Sequence, residues 1–183
     1  MDITFEYLMK YKDTILKGFG TNFLLTLLSI IFPLGLGILF TFLCSKNRTL
    51  AKVFHWVSLP FECICPVALM GAMYFFVFSN LDSGLFPIVL TFNLAFLGYM
   101  PARYDRSMSA GRNIAYNGLG LVSAVYKWSF CVCIIAYIDL FYAANIVRSR
   151  IYQGIVMLIP LAVSFVVIAV IEVLRRIIKN GAK

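Results

Sequence analysis

Three carboxylates, Glu62, Asp139 and Glu172, stand within long apolar runs of this sequence. A charge in hydrocarbon costs at least about 2.5 to 3.5 kcal/mol unless it is paired, protonated or wetted. Glu62 falls about ten residues into its run, roughly 15 Å along a helix and close to the middle of a bilayer. Asp139 lies deep in another run, and the next basic residue is Arg148. With Asn93, these two acids are candidates for a translocation path, where a carboxylate can meet a substrate ammonium. The competing reading is a hydrogen bond between helices, or a salt bridge to a partner subunit. Glu172 reaches Arg175 or Arg176 at helical spacing, so a structural ion pair is expected there. Other chemistry is poorly supplied. His55 is the only histidine, and no Ser-His-Asp or Cys-His arrangement, H-E-x-x-H or phosphate-binding glycine loop occurs. No catalytic residue is expected, and the chain reads as a non-enzyme. Cys63 with Cys65 and Cys131 with Cys133 form C-x-C pairs, not the C-x2-C spacing of zinc sites. They read as packed thiols, and no metal is expected.

The elements that must position these residues are apolar. The 183 residues are 62% hydrophobic and 13% charged, a balance that leaves too little polar surface for a soluble domain of this size. A bilayer core about 30 Å thick, crossed by about 20 apolar residues per helix, accommodates it. The expectation is an all-α membrane protein of one domain with about five transmembrane helices, near 20–44, 53–79, 85–100, 127–147 and 151–175. Residues 1–17 read as an amphipathic segment on the membrane surface, and 101–126 as a cytoplasmic loop.

Sixteen Lys and Arg against eight Asp and Glu could suggest nucleic acid, but the cations sit between and after the apolar runs. Loops against anionic lipid headgroups explain them, and no nucleic acid is expected. With the N-terminus outside, eleven basic residues fall inside, at positions 46, 48, 52, 103, 106, 112, 127, 175, 176, 179 and 183. Five fall outside, at 10, 12, 17, 148 and 150. The positive-inside rule therefore predicts N-terminus out and C-terminus in. Lys127 is expected to snorkel to the inner interface.

Residues 111–121 read GRNIAYNGLGL. The segment resembles the coupling loop of ABC importer permeases of the polar amino acid type, through Gly111, Ala115, Leu119, Gly120 and Leu121, with Arg112 alongside. Residues 17–39 resemble that family's opening helix, 127–149 its K-D-T-S-L segment and following helix (Lys127, Ser129, Asp139, Leu140, Ala143, Ala144), and 171–176 its closing acidic-basic cluster. The likeness touches nearly the full length. It departs where Ile114 replaces the signature Glu, where Tyr116 replaces the second Ala, and where only residues 122–126 separate the loop from Lys127.

The resemblance implies a type I importer permease fold in the cell inner membrane, importing polar amino acids or similar small solutes by alternating access. Its partners would be cytoplasmic ATPase subunits, a second permease subunit, an extracytoplasmic solute-binding protein and the membrane lipids. ATP would bind at the ATPase partner, with no cofactor on this chain. Lys127, Ser129 and Glu172 would serve structure or interface. The shortened loop supports an alternative, a permease-derived scaffold or accessory subunit without transport of its own.

Overall fold

The computed structural model describes residues 9–63, 65–77, 84–135, 139–151 and 154–181, without the side chains of 61–63, 75, 133–135 and 151. The described residues form helices and turns, with no strand among them. In chain order the α-helices are α1 (Lys12–Lys46), α2 (Arg48–Cys63), α3 (Pro66–Ala72), α4 (Leu85–Ala95), α5 (Tyr99–Ala102), α6 (Ala110–Ser129), α7 (Leu140–Ile151) and α8 (Leu158–Asn180). A π-turn, Met73–Val77, follows α3, and 3-10 turns Phe130–Ile135 and Gly154–Met157 flank α7.

Among the described residues, three stretches are long and apolar enough to cross a membrane: Lys12–Lys46, Leu85–Ala102 and Gly154–Asn180. At 1.5 Å per residue α1 is ~52 Å long, well beyond the ~30 Å hydrocarbon layer. Its faces differ in size more than in polarity. Gly18, Asn22, Thr26, Ser29, Pro33, Gly37, Thr41 and Cys44 are buried at three- and four-residue spacing, while Phe23, Leu27, Ile31 and Phe32 face outward. Small residues let neighbouring backbones approach, the usual basis of helix association in lipid. The Thr26 and Thr41 hydroxyls donate to carbonyls four residues back, at 2.7 Å each, whereas the Ser29 hydroxyl in the same stripe is buried without a hydrogen bond.

α6 lies against this stripe and runs antiparallel to α1. Asn22 meets Ser129 near one end, and Leu34 meets Gly118 further along. α4 packs on the same core, which gathers Leu25, Met70, Ile88, Phe92, Met100, Leu121 and Val125. α7 continues toward the N-terminal end of α1, where Val147 and Val156 pack with Tyr11 and Ile15. α8 returns along α6 and is the most exposed element; Pro160 is its one buried residue, and Phe165 is 74% exposed. Large apolar side chains left open over so much of the bundle are what a lipid solvent tolerates and water does not. The fold is an all-α membrane protein.

Several expected boundaries differ. Residues 101–126, expected as a loop, are helical from Ala110 onward, and that helix is packed between α1 and α8. The expected continuous helix over 127–147 is broken: α6 ends at Ser129, a 3-10 turn follows, and α7 starts at Leu140. Residues 12–17, expected in a separate surface segment, are the first turns of α1, while residues 1–8 lie outside the described residues. The second run divides before Pro66, which takes the first position of α3, where its missing N–H costs nothing.

Candidate functional site

The break between α6 and α7 is closed by one amide from α1. Asn22 Oδ1 accepts the Leu140 N–H at 2.6 Å, and its Nδ2 donates to Ser129 Oγ at 2.8 Å. Ser129 Oγ in turn donates to the Tyr126 carbonyl at 2.8 Å. Asp139 begins α7 as its cap: its Oδ1 accepts the Tyr142 N–H at 2.6 Å and its carbonyl accepts the Ala143 N–H at 2.9 Å. A carboxylate at a helix N-terminus also meets the positive end of the helix dipole. Asn22, Ser129 and Asp139 are all fully buried. The close approach of α7 depends on Gly18, where an added Cβ would lie 2.7 Å from the Asp139 carbonyl oxygen and 2.9 Å from Leu140 Cα.

This geometry gives Asp139 a structural task, the start of α7. Asn93, on α4, donates from Nδ2 to the Val89 carbonyl at 2.8 Å, and its Oδ1 is buried without a hydrogen bond. The Glu62 side chain lies outside the described residues. Asn93 and Asp139 thus bond separately, each to the backbone of its own helix.

The segment 111–121 occupies the first three turns of α6 and is largely engaged within the chain. Arg112 donates to the Ile178 carbonyl at 2.7 Å and the Lys179 carbonyl at 3.1 Å, closing the C-terminal turn of α8. The Arg175 guanidinium lies 4.4 Å from the Tyr116 ring centre, donates to the Tyr116 carbonyl at 3.3 Å and pairs with Glu172 at 2.8 Å. Gly120 makes room for it: a Cβ there would lie 2.8 Å from Tyr99 Oη and 3.1 Å from Arg175 Nη2. Leu121 is core, Ile114 and Leu119 are half-buried, and Gly111 and Ala115 face outward. Lys127 is exposed near the other end of α6, ~22 Å from Arg112 along the helix. The two basic residues thus stand toward opposite ends of α6.

Two asparagines outside the expected site residues hold the connection before α6. Asn113 Nδ2 donates to the Asp105 carbonyl at 2.6 Å and the Met108 carbonyl at 3.1 Å, and its Oδ1 accepts the Asp105 N–H at 2.9 Å. Asn117 Nδ2 donates to the Arg103 carbonyl at 3.1 Å. Their i, i+4 spacing on an amphipathic helix was the available signal. Asp105 Oδ1 accepts the Ser107 N–H at 2.9 Å and the Ser107 hydroxyl at 2.8 Å, which holds its carboxyl below the usual carboxylate range.

Beside this connection is a cleft of about 460 Å³ lined by Ala51, Lys52, His55, Trp56, Pro101, Tyr104, Asp105 and Arg106. His55 Nδ1 lies 3.0 Å from the Ala102 carbonyl, which can only accept, so Nδ1 donates. Arg106 donates to the Arg48 carbonyl at 2.8 Å and ties the connection to the start of α2. This end of the bundle collects the C-termini of α1 and α8 and the N-termini of α2 and α6. Among the described residues no group of three His, Cys, Asp or Glu side chains could hold a metal ion.

No protein-family model matches the chain, and neither a curated protein nor a solved structure was found that matches it.

Proposed function

We propose that this chain is a membrane-spanning subunit of an ABC-type importer for polar amino acids or similar small solutes. In this reading it crosses the cell inner membrane five times, through α1, α2–α3, α4–α5, α6–α7 and α8, with the N-terminus out and the C-terminus in. A second permease subunit completes the path, a solute-binding protein delivers cargo outside, and ATPase subunits bind ATP inside. The observation that carries the reading is the meeting of two features at one end of the bundle. The segment resembling a coupling loop begins there, with Gly111 and Ala115 outward, among Lys46, Arg48, Lys52, Arg103, Arg106 and Lys179.

A second reading, a permease-derived scaffold without transport of its own, is favoured by a specific observation. Arg112, Tyr116 and Gly120 already grip α8, so little of the segment is left for a partner's groove.

Cross-linking separates the two. With Ala115→Cys in the tagged chain, a cysteine-directed cross-linker applied to native membranes should yield an adduct with an ATPase subunit, while Lys127→Cys should not. Purification free of any ATPase, with no adduct from position 115 and unchanged solute uptake on deleting the chain, favours the scaffold.

A further inference from the structure

We infer that the cleft between α2 and the 101–106 connection is a binding site for the headgroup of an anionic phospholipid. The argument starts from charge. Lys52 and Arg106 line the cleft, and its one lining carboxylate, Asp105, is turned to the Ser107 N–H and hydroxyl. An ammonium and a guanidinium lining one cleft suit a phosphate diester, the first as a point charge and the second through the donors left beside its bond to the Arg48 carbonyl. Tyr104 and Trp56, also in the lining, carry a hydroxyl and an indole N–H able to donate to phosphate oxygens. The volume, about 460 Å³, is that of a small-ligand site.

The neighbourhood selects a lipid over a soluble phosphate ester. Trp56 is 72% exposed, and Val53 and Val57, on the adjoining face of α2, are exposed at 49% and 57%. A molecule with its phosphate in the cleft would lay its acyl chains along these apolar side chains. A Trp with its ring toward hydrocarbon and its N–H toward water is the usual marker of the interfacial level. Basic pockets between membrane helices are established binders of anionic headgroups. The site requires only that this end of the bundle lies at a bilayer surface, and it is independent of any ATPase partner.

The test is native mass spectrometry of the whole purified chain in mild detergent. It is titrated with phosphatidylglycerol, with phosphatidylcholine of the same acyl chains, and with soluble glycerol phosphate. One phosphatidylglycerol should be retained per chain, in preference to phosphatidylcholine and with no comparable retention of glycerol phosphate. Lys52→Gln should weaken retention about fivefold, and Lys52→Gln with Arg106→Gln about 25-fold. The single change leaves the Arg106 hydrogen bond to Arg48 in place, so its effect is read without loosening the connection. Arg148→Gln, remote from the cleft, should retain the lipid as the unaltered chain does. Equal retention of the two lipids, equal retention by the Lys52 variant, or equal occupancy by glycerol phosphate overturns the assignment.

Discussion

Gly18 and Gly20 stand two residues apart in the same turn of α1, yet their surroundings are opposite. A Cβ at Gly18 would strike the backbone of Asp139 and Leu140, which cannot swing aside, whereas a Cβ at Gly20 meets nothing within 4 Å. Gly18→Ala should therefore destabilise the bundle by about 1–3 kcal/mol, the usual penalty of overpacking. Gly20→Ala should be neutral or stabilise it by up to about 1 kcal/mol through helix propensity. Unfolding of both variants in one detergent measures the difference, and equal behaviour would show that α7 does not press on α1 as described. Nothing in the motif Gly-Phe-Gly distinguishes the two glycines, because the contact that does so lies some 120 residues away in sequence. Asn22 was equally illegible. It is a polar residue near the start of an apolar run, and its two partners, Ser129 and Leu140, are joined only by the fold. Glu172 was legible, because its Arg175 partner is one helical turn away.

Among elements, α1, α4 and α8 were readable from the apolar runs that form them, and α6 was not. Its sequence holds Gly111, Gly118, Gly120, Asn113 and Asn117, residue types that disfavour a helix in water. In the bundle they are assets: Gly120 admits the Arg175 guanidinium, and both asparagines bond to backbone carbonyls of the preceding connection. The end of α6 at Ser129 was hidden for the opposite reason, since the sequence stays apolar from there to Ile138 and only Asp139, a cap-forming residue, marks a new start. The joint between α6 and α8 makes a quantitative prediction. A double-mutant cycle of Tyr116→Leu and Arg175→Gln should give a coupling of about 0.5–2 kcal/mol, in the range of a cation–π contact. Additive losses would mean that the ring and the guanidinium do not act on each other.

At the scale of the whole molecule, the antiparallel course of α1 and α6 divides the cations between two ends. Arg106 and Arg112 lie with the C-termini of α1 and α8, while Arg148 and Arg150 lie toward Tyr11 at the N-terminal end of α1. Lys127 moves to this second group. In a chain freed of its native cysteines, Arg106→Cys and Arg148→Cys should react with a membrane-impermeant maleimide from opposite faces of sealed vesicles. Labelling of both from one face would contradict a bundle standing across the bilayer.

The reliance of α6 on its neighbours has a consequence for biosynthesis. Among the described stretches, α6 is not one of those long and apolar enough to cross a membrane; Asn113 and Asn117 bond to the connection just before it, but Ser129 depends on Asn22 of α1 and Arg112 on the last turn of α8. During translation α6 emerges after α1, which supplies Asn22, and before α8, which supplies the carbonyls for Arg112. Until the last turns of α8 have been made, the face of α6 that carries Arg112, Tyr116 and Gly120 lacks the helix that covers it.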